Sequence, residues 1–164
     1  MKAHFEMMAA YNAWANQRLL TAAAELDEAA YRADLGAFFH SVHGTLNHLI
    51  VADRIWLARF RGEPPPDLRL DQIVHEERDA LAAARRALDA EIVAFVGGLT
   101  QARLGAEFAY RPVTRPGEVR QKLAPALAHF FNHQTHHRGQ AHALMTRLTG
   151  AAPALDLIYF QREG

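Results

Sequence analysis

Four long stretches of this chain repeat their apolar residues every third or fourth position, a spacing that lines one face of an α-helix and leaves little room for another fold. In the first, Phe5, Met8, Ala15, Leu19, Ala22 and Leu26 recur this way, with Glu25, Asp27 and Glu28 gathered towards its end. The second runs from about residue 38 to residue 61, "FFHSVHGTLNHLIVADRIWLARFR", and a helical wheel confines most of its strongly polar positions to a wedge of Asn47, Arg54 and Arg61. Most of that helix must be buried. The third lies between about residues 70 and 99, where Ile73, Leu81, Ala84, Leu88, Ile92, Phe95 and Leu99 form one stripe. Its "HEERD" and "ARR" segments face away, and Gly97 and Gly98 mark its end. The fourth begins within a turn of Pro125, a residue tolerated only near a helix start, and ends at Gly150, an expected left-handed cap.

These stretches predict an all-α fold, an antiparallel four-helix bundle forming a single domain over residues 1–164. "GEPPPD", residues 62–67, breaks the second helix and makes a stiff crossover to the third. "AEFAYRPVTRPGEVRQ", residues 106–121, combines aromatic and β-branched residues with a Pro-Gly turn, and predicts a short β-hairpin or irregular excursion between the third and fourth helices. The last fourteen residues, "AAPALDLIYFQREG", read as an apolar tail packed back on the body. The broad apolar arc of the second helix exceeds what one neighbour covers and points to a homodimer.

Charge and composition narrow the function. Lysine plus arginine equals aspartate plus glutamate, 18 each, so no global field favours nucleic acid or an anionic membrane. Nowhere do about 18 apolar residues run together, and the N-terminal stretch lacks the apolar run of a signal peptide. The expectation is a cytoplasmic protein without a nucleic-acid or membrane partner. Cysteine is absent, which leaves nitrogen and oxygen as the only strong metal donors and removes a thiol nucleophile.

Five of the ten histidines fall in "HFFNHQTHHRGQAH", residues 129–142. His129, His133 and His137 are spaced four apart on nearly one helix face. Positions 129 and 137 nevertheless lie roughly 12 Å apart along the axis, too far for one ion whose donors sit at about 2.0 to 2.1 Å. One i, i+4 pair is the most this stripe supplies. His137 lies inside the apolar arc, His133 at its edge, and His129 and His136 farther round, so His133 and His137 form the preferred pair. A third ligand should come from a facing helix. The second helix offers His40, His43 and His48, of which His48 stands opposite the polar wedge amid Val51, Ala52 and Ile55. One isolated histidine there would be read as a core residue bonded to a backbone carbonyl. Three at these positions favour a metal. "HQTHH" contains H-x-x-x-H, but Gln134 stands where a zinc protease carries its glutamate base, so that mechanism is disfavoured. The paired E-x-x-H elements of di-iron bundles are also missing, since "HEER" reverses the order.

"YNAWANQRL" at 11–19, "SVHGTLNHLIVADRIWLARFRG" at 41–62 and "HFFNHQTHHRGQAHALMTRLTG" at 129–150 resemble the DinB family in order and spacing across nearly the whole chain. The resemblance implies a DinB/YfiT-like four-helix bundle, frequently a homodimer, with a divalent metal held by one histidine of the second helix and two of the fourth. On the matching positions these are His48, His133 and His137. The family includes proteins named for DNA-damage induction, metal-dependent hydrolases, thiol-dependent S-transferases and relatives of mycothiol-dependent maleylpyruvate isomerase.

Three neutral imidazoles leave an ion's double positive charge uncompensated and a fourth position open, which suits an anionic ligand or a thiol acidified on binding. Hydrolysis usually benefits from a nearby carboxylate, and the fourth helix has none beside its histidines. The expected function is therefore a metal-dependent transferase acting on a small-molecule substrate with a low-molecular-weight thiol. A hydrolase or isomerase on the same site, or a non-catalytic metal-binding stress-response protein, are the alternatives. Imidazole suits zinc or nickel foremost, and also iron and manganese. No catalytic residue is assigned. Asn132, His136 and Arg138 are candidates to orient a ligand or meet an anion, with solvated helix surface as the competing assignment. Asp53 is a candidate to bond a ligand or an interhelical arginine, and Asp156 matches an aspartate of the family's C-terminal region. Trp14, Trp56 and Phe60 read as core.

Overall fold

Where the apolar spacing is strongest the chain is helical, as a computed structural model describing residues 1–113 and 116–163 shows. Thr114 and Arg115, within the expected hairpin, and Gly164, at the end of the expected domain, lie outside the described residues. In chain order the elements are α1 (Lys2–Ala24), α2 (Glu28–Arg32), α3 (Val42–Arg61), α4 (Arg78–Gly97), α5 (Gln101–Gly105), β1 (Glu107–Tyr110), β2 (Val119–Lys122), α6 (Leu123–Thr149) and α7 (Leu157–Glu163). The fold is mostly helical, with α1 packed on α4 and α6, and α3 packed on α6 and α4. Leu19, Leu49, Ile50, Phe60, Leu81, Ile92, Phe130 and Phe131 fill the space between them. The expected hairpin is present: β1 and β2 pair antiparallel, from Glu107 opposite Lys122 to Tyr110 opposite Val119. Pro125 sits in the first turn of α6, and Gly150 caps it with φ of 77°.

Three expectations about helix boundaries need correction. The second helix starts at Val42 rather than Phe38, because the Ser41 hydroxyl accepts from the Gly44 amide at 3.0 Å and His40 adopts a left-handed φ of 65°. The third starts at Arg78 rather than near Leu70. The amides of Val74 and His75 both donate to Asn47 Oδ1 at 2.9 Å, so they do not enter a helical ladder, and Ile73 is exposed. "HEER" is thus the approach to α4, not its polar face. The first helix ends at Ala24, and Asp27 caps α2 by accepting from Ala30. Elements as short as α2, α5 and α7 leave no periodic trace in a sequence.

The polar wedge of α3 faces chain at Asn47 and Arg54 and opens to solvent at Arg61. Asn47 is fully buried and clamps the 62–77 connection, Arg54 meets His75 at 3.1 Å, and Arg61 pairs with Glu91 at 3.2 Å. The apolar arc of α3 is covered by α6, α4, α2 and β1, so it carries no argument for a second copy. The tail does fold back: Tyr11 donates to the Leu155 carbonyl at 2.7 Å and packs edge to face with Phe160.

A buried polar network crosses the core and touches every long helix. Arg85 of α4 reaches Asp53 of α3 at 2.7 Å and Asp89 at 2.9 Å. Asn12 and Asn16 of α1 donate to Asp89, at 3.2 and 2.9 Å. From α6, Gln134 donates to Asp53 and Arg138 donates to Asn12. Burial raises the Asp53 carboxyl to about 6, opposed by Arg85, while the two carboxylates hold Arg85 above its ordinary value against the cost of its own burial. Arg138, half expected to be solvated surface, is 2% exposed and belongs to this network.

Arg85→Met should strand two buried carboxylates and cost about 3–5 kcal/mol, read by urea unfolding. A loss below about 1 kcal/mol would mean that the pair contributes no more than a surface ion pair.

Candidate metal centre

The i, i+4 spacing on α6 and the packing of α6 on α3 bring His48, His133 and His137 to one point. One ligating nitrogen from each lies within 4.8 Å of the others, and this is the one such group of three or more histidines or carboxylates among the described residues. His48 Nε2 and His133 Nε2 are 3.4 Å apart. Donors at about 2.0 to 2.1 Å from a tetrahedral ion stand roughly 3.4 Å from one another, so this edge already has metal-site dimensions.

Hydrogen bonds on the far side of two rings fix which nitrogen faces inward. His48 Nδ1 lies 2.8 Å from the Leu70 carbonyl, which can only accept, so Nδ1 carries the proton and Nε2 keeps its lone pair. His137 Nδ1 lies 2.8 Å from Gln140 Oε1, and the Gln140 amide nitrogen meets His136 Nε2 at 3.2 Å. Gln140 thereby presents its oxygen to His137, again leaving Nε2 free. This is the outer-sphere support that ligating histidines require. The carbonyl-bonded core histidine and the metal-facing histidine, opposed readings of His48 in the sequence, are two ends of one ring.

Burial keeps the rings neutral. Desolvation lowers His48 to about 4 and His133 to about 3, with neighbouring imidazoles adding to both, and lowers His137 despite the opposing Gln140 bond. Phe39 closes one side, stacked on His48 at 3.8 Å between centroids and edge-on to His137 at 5.5 Å. That contact depends on Gly44: a Cβ there would stand 2.1 Å from the Phe39 carbonyl oxygen. On the other side opens a cavity of about 400 Å³ lined by His48, His133, His129, Trp56, Arg59 and Tyr110, among others. A second cavity, of about 450 Å³, lies under the tail beside Tyr11, Arg138 and Asp156, away from the three histidines.

The remaining candidates separate cleanly. His129 is exposed at the cavity rim, its ring 5.2 Å from that of Trp56. His136 supports Gln140, and Asn132 is exposed. Asp53 meets an interhelical arginine rather than a ligand. Asp156 is exposed ahead of α7. His43 packs on Tyr31 and His40 is exposed, so neither joins the site. Phe60 is core as expected, whereas Trp56 is half-buried and lines the cavity, and Trp14 donates to Glu163 at 2.7 Å. Sequence reasoning missed Phe39, the Leu70 carbonyl, Arg59 and Gln140. Only Gln140, three residues after His137 on one helix, left a usable signal.

A family model described as "DinB family" matches residues 1–163. The chain is also similar to Protein DinB of Bacillus subtilis (strain 168), 27% identical over 152 residues that cover 89% of this chain and 87% of that relative.

Because the folded values of His48 and His133 lie below the ordinary 6.5, the unfolded chain binds more protons as pH falls. Their contribution to stability is full above about pH 6.5 and is lost towards about pH 4 and below. Urea midpoints of the metal-free protein should drop from pH 7 to pH 4, less steeply in His133→Gln. Equal slopes would show His133 to be solvated in the fold.

Proposed function

The chain belongs to the DinB family, and on that premise we propose that it binds one divalent ion through His48, His133 and His137 and serves as a transferase using a low-molecular-weight thiol. The observation that carries this reading is the convergence of three buried imidazoles, two of which have their outward nitrogens already committed, His48 at Leu70 and His137 at Gln140. A bound divalent ion would act there as a Lewis acid, acidifying a coordinated thiol whose ordinary pKa is near 8.5. His48 and His137 would hold it through Nε2, oriented by the Leu70 carbonyl and Gln140. Phe39 would exclude water from one side and leave the cavity side open to substrate. His129, at the rim of that cavity with its pKa lowered by partial desolvation, is placed to take up a proton there.

Transfer is favoured over hydrolysis by the absence of a carboxylate from the histidine group among the described residues. Asp53, the buried acid on α3, is held by Arg85 and Gln134. Zinc and nickel suit the donor set foremost, with iron and manganese also compatible. We read the four long helices as an antiparallel four-helix bundle forming one domain over 1–164. A homodimer rests on the family resemblance and a cytoplasmic location on the sequence pattern; no described helix is long and apolar enough to cross a membrane.

Elemental analysis of protein purified without an affinity tag should find about one ion per chain by the three-ligand logic. His48→Ala and His137→Ala should lose it while keeping their helical circular dichroism. Wild type that stays metal-free after incubation with zinc, nickel and manganese would sink the reading. If metal binds, activity on electrophiles that requires added thiol separates transfer from hydrolysis.

A further inference from the structure

Arg59 differs from the other buried arginines. Arg85 faces two carboxylates, and Arg138, which contacts none directly among the described residues, bonds two asparagine side-chain oxygens within a network where Asp53 and Asp89 act on its charge. Arg59 is 7% exposed and has no carboxylate partner among the described residues. Its Nη2 donates to the Arg111 carbonyl at 3.0 Å, while its Nε, like those of Arg85 and Arg138, is buried without a hydrogen-bond partner among the described residues. Its guanidinium lies over the rings of Trp56 and Tyr110, at 4.8 and 4.9 Å from their centroids. Ring faces attract a cation but do not neutralise it. Arginine stays charged in proteins, and a charge taken out of water without a counter-ion is unfavourable. The missing partner is an anion.

The position of Arg59 says which anion. His48, Ala52, Ile55 and Arg59 follow one another at four, three and four residues along α3, so they share one face, and all four line the cavity beside the three histidines. The helix rises roughly 16 Å between His48 and Arg59, a distance that the arginine side chain shortens by reaching back. Between the two ends the walls are Ala52, Ile55 and the flat ring of Trp56. We propose that this cavity binds an elongated carboxylate with a flat apolar body, its anionic end on Arg59 and its other end at the three histidines. A guanidinium matches a carboxylate in geometry as well as charge. The inference rests on the preceding reading for what happens at the histidine end, and on Arg59 alone for the choice of an anion.

The test is calorimetric titration of the full chain with trans-cinnamate and with its neutral counterpart cinnamamide, first with a chelator and then with zinc. Cinnamate should bind at least about tenfold more tightly than cinnamamide, as expected for a buried charge pair. Arg59→Met, which keeps the apolar stem, should abolish that preference with circular dichroism unchanged, and Arg59→Lys should retain part of it. Equal affinities, no binding of cinnamate, or a preference that survives in a folded Arg59→Met would overturn the inference. If the methionine variant fails to fold, Arg59→Lys decides: an undiminished preference for cinnamate overturns the proposal, since a lysine loses the guanidinium geometry. A preference that appears only with zinc would assign the carboxylate to the histidines and also overturn it. A preference that persists in protein unable to take up any metal would leave the Arg59 site standing while the three-histidine reading falls.

Discussion

Charges removed from water must be paired, and in this protein that requirement sets the arrangement of the long helices. Asp53, Arg85 and Asp89 join α3 to α4, while Asn12, Asn16, Gln134 and Arg138 tie in α1 and α6. Apolar burial supplies most of the driving force but has no direction, so by itself it tolerates many rotations of one helix against another. The network has direction. Gln134 and Arg138 must turn towards Asp53 and Asn12, and that fixes the rotation of α6. One residue earlier along the same helix, His133 and His137 are then delivered to His48.

Much of this was legible because helix geometry is rigid. Spacing alone selected His133 and His137 over His129, and the position of His48 opposite a polar wedge selected it over His40 and His43. Rotation by one residue was the harder inference: Gln134 was read only as a missing glutamate, and Arg138 as equally at home in solvent. Their partners lie on three other helices, and a one-dimensional pattern does not reveal which polar face of a helix meets which. The same limit hid the carbonyl of Leu70, since any residue there offers one, and the stacking of Phe39, which depends on a turn set by His40 and Gly44. The start of α4 was misplaced for a related reason. An apolar stripe continued through Ile73, but a side chain distant in sequence, Asn47, had taken the amides.

Burial plays opposite parts at the two ends of the cavity. At the histidine end it removes protons, leaving rings that bind cations. At Arg59 it leaves a cation in place and removes water from around it, against two adjoining aromatic rings. One cleft thus joins an electron-pair donor cluster to a fixed positive charge. A ligand that satisfies both must carry two different functional groups at a set separation, and a small symmetrical anion would satisfy only one end.

The two parallel stripes of α6 carry a final consequence. His133 and His137 serve one side, Gln134 and Arg138 the next, and every one of these positions is counted from the same helical phase. A single inserted or deleted residue before His133 would turn the rest of the helix by about 100° against its neighbours. It would disconnect the histidines and the polar network together. Side-chain changes at individual positions can be absorbed one at a time, but the length of this segment cannot drift, and relatives that keep both features are expected to align across it without gaps.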